Sequence, residues 1–111
     1  MLYFDPCFKQ LCALLITNIK LDPLVTGYKH LAYQVDITDV NRPFYIEITG
    51  NGRTNIEPYE YNDRDARIIS SFDTLMKIST KQINLLDAYN DNKISISGDL
   101  EKVKILSDLI K

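Results

Sequence analysis

The chain has 111 residues and a mass of 12.8 kDa, which suits a single domain built around one hydrophobic core. Its composition is 45% hydrophobic and 25% charged, the formal net charge is -2, and the basic residues are scattered among acidic ones. This pattern argues against a nucleic-acid partner, because a phosphate backbone binds clustered Lys and Arg. The apolar run LCALLIT is too short to span a bilayer, so the sequence predicts no transmembrane segment, no secretory signal and a cytoplasmic location.

The first predicted element is a helix from Pro6 to Lys20, capped by Asp5 and ended by the run LDP at 21–23. Apolar residues recur on one face of this helix at three- and four-residue spacing: Cys7, Phe8, Leu11, Cys12, Leu15, Ile16 and Ile19. A disulfide between the two cysteines is geometrically awkward within one helix, and no cluster of further ligands indicates a metal site. We therefore interpret Cys7 and Cys12 as reduced core residues.

Beyond Gly27 the hydrophobic pattern becomes an alternation, which is typical of strands in a sheet with one buried face. Three strands are predicted in succession, at residues 30–38, 43–49 and 53–61. The segment GNG at 50–52 suits the hairpin turn between the second and third strands. Pro58 cannot donate to a hydrogen-bond ladder, so the third strand is predicted to lie at an edge or to carry a bulge. A fourth strand is predicted at 66–72.

Two short helices are predicted after the fourth strand. Asp73 is expected to cap a helix over 74–79, which returns the chain towards the sheet. Ser79 and Gln82 have the spacing of a capping box for a second helix, over 81–89. The apolar face of that second helix is predicted to consist of Ile83, Leu86 and Tyr89.

The last part of the chain predicts a strand followed by a helix. Ile94 and Ile96 share one side of the strand, Gly98 allows the backbone to turn, and Asp99 caps the helix. The helix carries an apolar stripe: Leu100, Val103, Leu106, Leu109 and Ile110. We expect this helix to close over the apolar face of the sheet, since the chain offers no second sheet to bury that face.

This order of elements resembles the sterol carrier protein 2 family, the sterol-transfer domain. Three stretches carry the likeness: the strands of PFYIEITGNGRTNIEPYEYNDRDARIIS, the helix of SFDTLMKI, and the strand and helix of LDAYNDNKISISGDLEKVKILSDLI. The resemblance covers residues 28–111, and the first helix lies where the family also has one. The chain departs from the family at Asn92-Lys93, where a Gly-Lys pair is usual, but Asn tolerates the left-handed conformation that the turn needs.

The resemblance implies an α+β fold in which a mostly antiparallel sheet of five strands is covered on one face by helices, with residues 1–111 forming a single lipid-binding domain. It also implies an apolar tunnel between sheet and helices that accepts an apolar small molecule such as a fatty acyl, isoprenoid or sterol-like lipid. The residues assigned to the tunnel wall are Phe44, Ile46, Ile48, Ala66, Ile68, Phe72, Ile94, Ile96, Leu106 and Ile110. The family needs no catalytic residues, no metal and no cofactor.

The same apolar residues are also consistent with a closed core. An empty pocket of about 300 Å³ would cost about 7 kcal/mol at about 24 cal/mol per Å³. That cost is comparable with the total stability of a domain, about 5–15 kcal/mol, so a lipid, water or the protein's own side chains must fill the space. Tyr33, Phe44, Phe72 and Tyr89 are bulky enough to fill part of it.

The sequence indicates no enzymatic reaction. His30 is the single histidine and has no adjacent nucleophile motif. Asp36 and Glu47 lie on the outward side of neighbouring strands and could form a carboxylate pair, although solvated surface charges are the more common explanation. The chain is therefore predicted not to be an enzyme.

A protein partner is the alternative to a lipid. Tyr45, Tyr59, Tyr61 and Arg53 face outward in the prediction, and Tyr and Arg are enriched at protein interfaces. A strand at the edge of the sheet adds a surface on which another chain can pair. The second hypothesis is therefore a non-catalytic accessory scaffold with the same fold and a filled core.

Overall fold

The computed structural model describes residues 6–20, 30–39, 42–49 and 53–110, with the side chains of residues 6–8 and 42 excluded. Several predictions lie outside the described residues: the Asp5 cap, the packing of Cys7 and Phe8, the helix end at 21–23 and the hairpin turn at 50–52.

The described elements follow one another in the predicted order, and the differences lie in their boundaries. They are α1 (Pro6–Asn18), β1 (Leu31–Ile37), β2 (Arg42–Ile48), β3 (Thr54–Glu57), β4 (Ala66–Ser70), α2 (Phe72–Ser79), α3 (Leu85–Asn90), β5 (Ser95–Gly98) and α4 (Leu100–Leu109). The strands form one five-stranded sheet in the order β3-β2-β1-β4-β5. Only the β1–β4 pair among these neighbours is parallel, so the predicted α+β fold with a mostly antiparallel sheet is confirmed.

The inner face of the sheet is the one that the helices cover. Val35 lies opposite Phe44 on one side and Ile68 on the other, and Ile68 in turn lies opposite Ile96. The helices contribute the other layer of this core, with buried side chains at Leu11, Leu15, Leu75, Ile78, Leu85, Ala88, Val103, Leu106 and Leu109. Because side chains alternate along each strand, the apolar half of every central strand meets the helices.

Two residues of α1 differ from their predicted roles. Ile16 was placed on the apolar face, but its side chain is 52% exposed because the buried stripe runs through Leu11, Leu15 and Ile19 at four-residue spacing. Cys12 is a free cysteine at the margin of the core and is half-buried rather than fully enclosed. Its burial still raises the pKa of the thiol to about 11, so the group is protonated at neutral pH.

The boundaries after β4 were predicted incorrectly. Phe72 is the first residue of α2 rather than the end of a strand, and Ser71, not Asp73, is the N-cap, with its side chain accepting from the Thr74 amide. The proposed capping box is also wrong, since Ser79 is the buried last residue of α2.

The next helix, α3, is capped by Asn84, whose side-chain oxygen accepts from the amides of Leu86 and Asp87. Its fully buried residues are Leu85 and Ala88, whereas the predicted face of Ile83, Leu86 and Tyr89 is half-buried. The helix begins at Leu85 rather than at residue 81, so Ile83 precedes it, and the buried positions lie one residue before the predicted Leu86 and Tyr89.

The predicted turn chemistry around β5 is confirmed. Asn92 has a φ of 61°, which is the left-handed conformation that the departure from the family pattern required. Gly98 has a φ of 95°, and a Cβ at this position would lie 2.7 Å from the carbonyl oxygen of Asp65. Asp99 caps α4 by accepting from the Lys102 amide.

The outer face of the sheet is more covered than the alternation predicted. Ala32 and Gln34 lie on this face, yet their exposed fractions are 0% and 4%. The connection at 58–65 runs from the edge strand β3 to β4 and lies across them. Its Tyr61 amide and its Arg64 guanidinium donate to Gln34 Oε1 at 3.4 and 3.1 Å, and its last residue, Asp65, joins the edge of the β1–β4 ladder by donating to the Ala32 carbonyl at 2.8 Å. The connection therefore passes over Gln34 on the outer face.

Candidate functional site

The structure brings all the residues assigned to the tunnel wall into one apolar cluster between the sheet and the helices. Seven of them are buried: Phe44, Ile46, Ile48, Ala66, Ile68, Ile94 and Leu106. Three are partly buried at the margin of the cluster: Phe72, Ile96 and Ile110. We call this cluster the apolar layer. The layer lies between the inner face of the sheet and the helices.

The final helix is held over this layer by polar contacts at its first turns. Asp65 accepts a hydrogen bond from Lys102 Nζ at 2.7 Å and another from the Ala32 amide at 2.9 Å. Burial raises the pKa of Asp65, but these hydrogen bonds outweigh it and leave the pKa below its usual value. Lys102 is thus half-buried and ties α4 to β1 through Asp65.

A tyrosine adds a second attachment from within the core. Tyr33 is fully buried on the inner face, and its hydroxyl donates to the Lys102 carbonyl at 2.5 Å. Burial, reinforced by the charges of Asp65 and Asp99, raises the pKa of Tyr33, so the hydroxyl stays neutral. A neutral, hydrogen-bonded hydroxyl is compatible with an apolar environment. The sequence predicted Tyr33 as a bulky side chain able to fill the core, but its partner lies 69 positions away and has no local sequence signal.

A small cavity lies beside the layer, between the last turn of α4 and the connection from α2 to α3. Its volume is about 140 Å³, and it is lined by Ile78, Lys81, Ile83, Asn84, Leu85, Ser107 and Ile110. Ile110 is the one residue of the predicted tunnel wall that lines this cavity. The others were missed because the meeting of α2, α3 and α4 is a tertiary feature without a local sequence signal. This volume is below the range of about 300–1,000 Å³ that is typical of ligand sites.

The outer face carries a separate hydrogen-bond network around Glu47. His30 Nε2 lies 2.7 Å from Glu47 Oε2, the Tyr61 hydroxyl donates to the same oxygen at 2.9 Å, and Asn55 donates to Oε1 at 3.0 Å. These bonds lower the pKa of Glu47 to about 2, and the bond to Glu47 raises the pKa of Tyr61 to about 12. The network keeps Glu47 ionised and Tyr61 neutral near pH 7, which stabilises the folded connection rather than preparing a nucleophile.

The carboxylate pair considered from the sequence does not form. Glu47 lies opposite Ala32, whereas Asp36 lies opposite Pro43, further along β1. Asp36 instead forms an ion pair with Arg67. Among the described residues, no three His, Cys, Asp or Glu side chains are grouped in a way that could hold a metal ion.

The outward tyrosines differ from one another. Tyr45 and Tyr61 are half-buried and pack edge-to-face with ring centroids 5.1 Å apart, so they are committed to the fold. Tyr59 is 64% exposed, and Arg53 is exposed beside the edge strand β3. The edge position predicted for this strand is confirmed. Of the four predicted docking residues, Tyr59 and Arg53 are exposed, whereas Tyr45 and Tyr61 are half-buried. Within the described part of the chain, no helix has the length and apolar character needed to cross a membrane.

Comparison with known proteins identifies the family. The model of the SCP-2 sterol transfer family matches residues 8–111. A linear primary-alkylsulfatase of Pseudomonas sp is 28% identical over 78 residues, which is 70% of this chain but 12% of that protein. The chain therefore spans about an eighth of the length of this curated relative.

Solved structures show the same fold at low sequence identity. A UbiJ-SCP2 ubiquinone synthesis protein is 18% identical with a TM-score of 0.68, and the match covers 94% of this chain and 99% of that one. Sterol carrier protein 2 like 2 of Aedes aegypti is 16% identical with a TM-score of 0.65, covering 94% and 96%. The sec-alkylsulfatase Pisa1 of Pseudomonas sp. is 16% identical with a TM-score of 0.65, covering 85% of this chain and 15% of that one.

Proposed function

The chain belongs to the SCP-2 sterol transfer family, and from this premise we propose that it binds one apolar molecule in the apolar layer, as a carrier or presenting module. The ligand class is a fatty acyl, isoprenoid or sterol-like lipid, and residues 1–111 act as one lipid-binding domain. The observation that carries the proposal is the collection of the predicted wall residues into one cluster under α4. We assign no reaction to this site.

The chemistry of the layer supports an apolar ligand. Its members are aliphatic and aromatic, and the Tyr33 hydroxyl within it is already bonded to Lys102. A ligand entering the layer therefore gains from burial of its own apolar surface, about 0.8 kcal/mol for each CH₂ group. A polar ligand would lose its hydrogen bonds to water without replacement.

Among the described residues, the cavity next to the apolar layer supplies only part of the space that the ligand needs. The cavity beside Ile110 holds about 140 Å³, which is less than an acyl chain of ordinary length requires. Phe72, Ile96 and Ile110 lie at the margin of the layer and are only partly buried, so they can move with a smaller loss of packing than the central residues. We propose that the lipid enters beside Ile110 and displaces these side chains as it enters.

Native extraction tests the proposal directly. The purified chain is extracted with organic solvent, the extract is weighed by mass spectrometry, and a fluorescent fatty acid is titrated into the stripped protein. A stoichiometric lipid in the extract, or saturable binding of the fluorescent probe, is the expected result. An extract without lipid together with no probe binding would contradict the carrier function.

A cavity-filling variant locates the ligand. Ile110→Trp places a large side chain beside the cavity, and we expect probe affinity to fall by about tenfold or more while the fold is retained. Ile16→Trp is the matched control, because this side chain is 52% exposed on the outer side of α1. Equal probe affinity in the two variants would show that the lipid does not use the cavity.

The accessory scaffold remains a second candidate because of one observation. Tyr59 exposes 64% of its surface next to the edge strand β3, where backbone groups are available for pairing. The match to only 15% of Pisa1 also shows that this fold occurs within a longer chain. A protein partner would then bind at the edge of the sheet and leave the apolar layer filled by its own side chains.

A further inference from the structure

The outer face contains a polar cleft that lipid binding does not use. Its volume is about 560 Å³, four times that of the cavity on the helix side and within the range of about 300–1,000 Å³ for small-molecule sites. It lies beside the connection at 58–65, which contributes Glu60 and Arg64, while β1 and β4 contribute Asp36 and Arg67. The cleft and the apolar layer are on opposite faces of the same strands, so each can be tested without the other.

The floor of the cleft is a fixed chain of hydrogen bonds. Arg64 Nη1 donates to Gln34 Oε1 at 3.1 Å, and Gln34 Nε2 donates to Asp36 Oδ1 at 3.0 Å. Arg67 binds the second oxygen of Asp36 through Nε and Nη2. Gln34 is only 4% exposed, so the chain joins two surface guanidinium groups through a buried amide. Such a floor is preorganised, because each side chain restricts its neighbour.

Two charged side chains of the cleft, Arg64 and Glu60, have opposite signs and are free to bind a ligand. Asp36 and Arg67 neutralise each other in their ion pair. Arg64 uses Nη1 for Gln34 and for the Tyr61 carbonyl, which leaves the N–H groups of Nε and Nη2 for a ligand. Neither Arg64 nor Glu60 forms an ion pair with another residue in the described ranges. The cleft thus offers one guanidinium and one carboxylate to an incoming molecule.

We propose that this cleft binds a small zwitterion of the amino-acid type. Its carboxylate would bind Arg64, its ammonium group would bind Glu60, and an aliphatic side chain would lie on Pro43 and Ile69, which also line the cleft. A phosphate ester is a poorer match, since its double negative charge would meet the Glu60 carboxylate and it has no cationic group to bind there. Recognition of both charged groups distinguishes this ligand class from simple anions.

Amide chemical shifts of the folded chain test the proposal. L-leucine is titrated to about 20 mM, in parallel with N-acetyl-leucine, which lacks the ammonium group, and leucinamide, which lacks the carboxylate. We expect saturable shifts at Gln34, Arg67 and Ile69 with leucine, and binding weaker by about tenfold with either derivative. No saturable shift with leucine, or shifts confined to the helix side, would overturn the proposal.

Three variants assign the roles within the cleft. Arg64→Gln should weaken leucine binding by about tenfold. Glu60→Gln should weaken leucine binding severalfold without weakening that of N-acetyl-leucine. Arg53→Gln is the control, because this arginine is exposed and does not line the cleft. Equal losses of leucine affinity in Arg53→Gln and Arg64→Gln would mean that binding reflects general charge attraction, and would overturn the assignment. Equal affinity of the wild type for leucine and N-acetyl-leucine would also overturn it.

Discussion

The two faces of the sheet use the same strands but are covered in different ways. On the inner face, Val35, Phe44 and Ile68 pack against helices through apolar contacts. On the outer face, Gln34 is covered by the connection at 58–65, whose Tyr61 amide and Arg64 side chain donate hydrogen bonds to Gln34. Apolar contacts have little directionality, so a lipid can replace them, whereas hydrogen-bonded charges fix a geometry. The inner face is therefore suited to an adaptable apolar site and the outer face to a rigid polar one.

The largest effect is expected from the inner face. Phe44→Ala removes a fully buried ring and should lower the free energy of unfolding by about 3–5 kcal/mol. Ile16→Ala is the control and should change it by less than about 0.5 kcal/mol, because this side chain is 52% exposed. Urea unfolding followed by circular dichroism measures both. Similar losses in the two variants would contradict the described core.

The next largest effect on stability is expected at Gly98, where β5 lies against the backbone of Asp65. Gly98→Ala combines a φ of 95° with a Cβ only 2.7 Å from the Asp65 carbonyl oxygen, so the backbone near Asp65 must move. We expect a loss of about 2–3 kcal/mol in the free energy of unfolding. Ser97→Ala, at an exposed position of the same strand, should be nearly neutral. A neutral Gly98→Ala variant, measured by the same urea unfolding, would refute the close approach of β5 to Asp65.

A smaller effect is expected from the outer face on acidification. The pKa of Glu47 is lowered from 4.5 to about 2 by its hydrogen bonds, so its ionised form stabilises the fold. This contribution is complete above about pH 4.5 and is lost as the pH falls towards 2. We expect it to be about 1–2 kcal/mol, since the group lies near the surface.

The difference in stability between the wild type and Glu47→Gln measures this contribution without interference from other carboxyl groups. It should shrink between pH 5 and about pH 2, and Tyr61→Phe, which removes one of the hydrogen bonds, should show part of the same change. Parallel stability curves for the wild type and Glu47→Gln would mean that the network does not favour the ionised carboxylate.

The smallest effect on the fold is expected at the exposed edge. Tyr59→Ala should change the free energy of unfolding by less than about 0.5 kcal/mol, because the side chain is 64% exposed. Lipid affinity should change by less than about twofold, since Tyr59 lies outside the apolar layer. Loss of association with a partner protein would favour the scaffold function. A large loss of lipid affinity in Tyr59→Ala would indicate that the lipid binds outside the apolar layer, and would contradict our account.

Much of the fold followed from local chemistry. Alternating polarity predicted the strands β1, β2 and β4, and Asn92 and Gly98 predicted the turns on either side of β5. Each of these patterns reflects a constraint on its own segment. The closing position of α4 was expected because no second sheet was available to bury the apolar face, and the family resemblance implied the mostly antiparallel sheet of five strands.

The failures occurred where distant segments decide the outcome. Phe72 was predicted to end a strand, but it is the first residue of α2, which Ser71 caps. Ser79 was predicted to cap a helix, but it is buried in the core at the end of α2. The burial of Gln34 depends on a connection that crosses the outer face, and a pattern within β1 contains no information about it. The polar cleft was missed for the same reason, since Arg64 and Gln34 are thirty positions apart in sequence.

Methyl NMR tests the central claim most directly. The chain is labelled at isoleucine δ1 methyl groups and saturated with a fatty acid, and NOEs between the acyl-chain protons and these methyl groups, which require close contact, are recorded. If the lipid lies in the apolar layer, NOEs will appear at Ile46, Ile68 and Ile96 on the inner face and not at Ile69 on the outer face. NOEs centred on Ile69, or equal NOEs on both faces, would contradict lipid binding between sheet and helices.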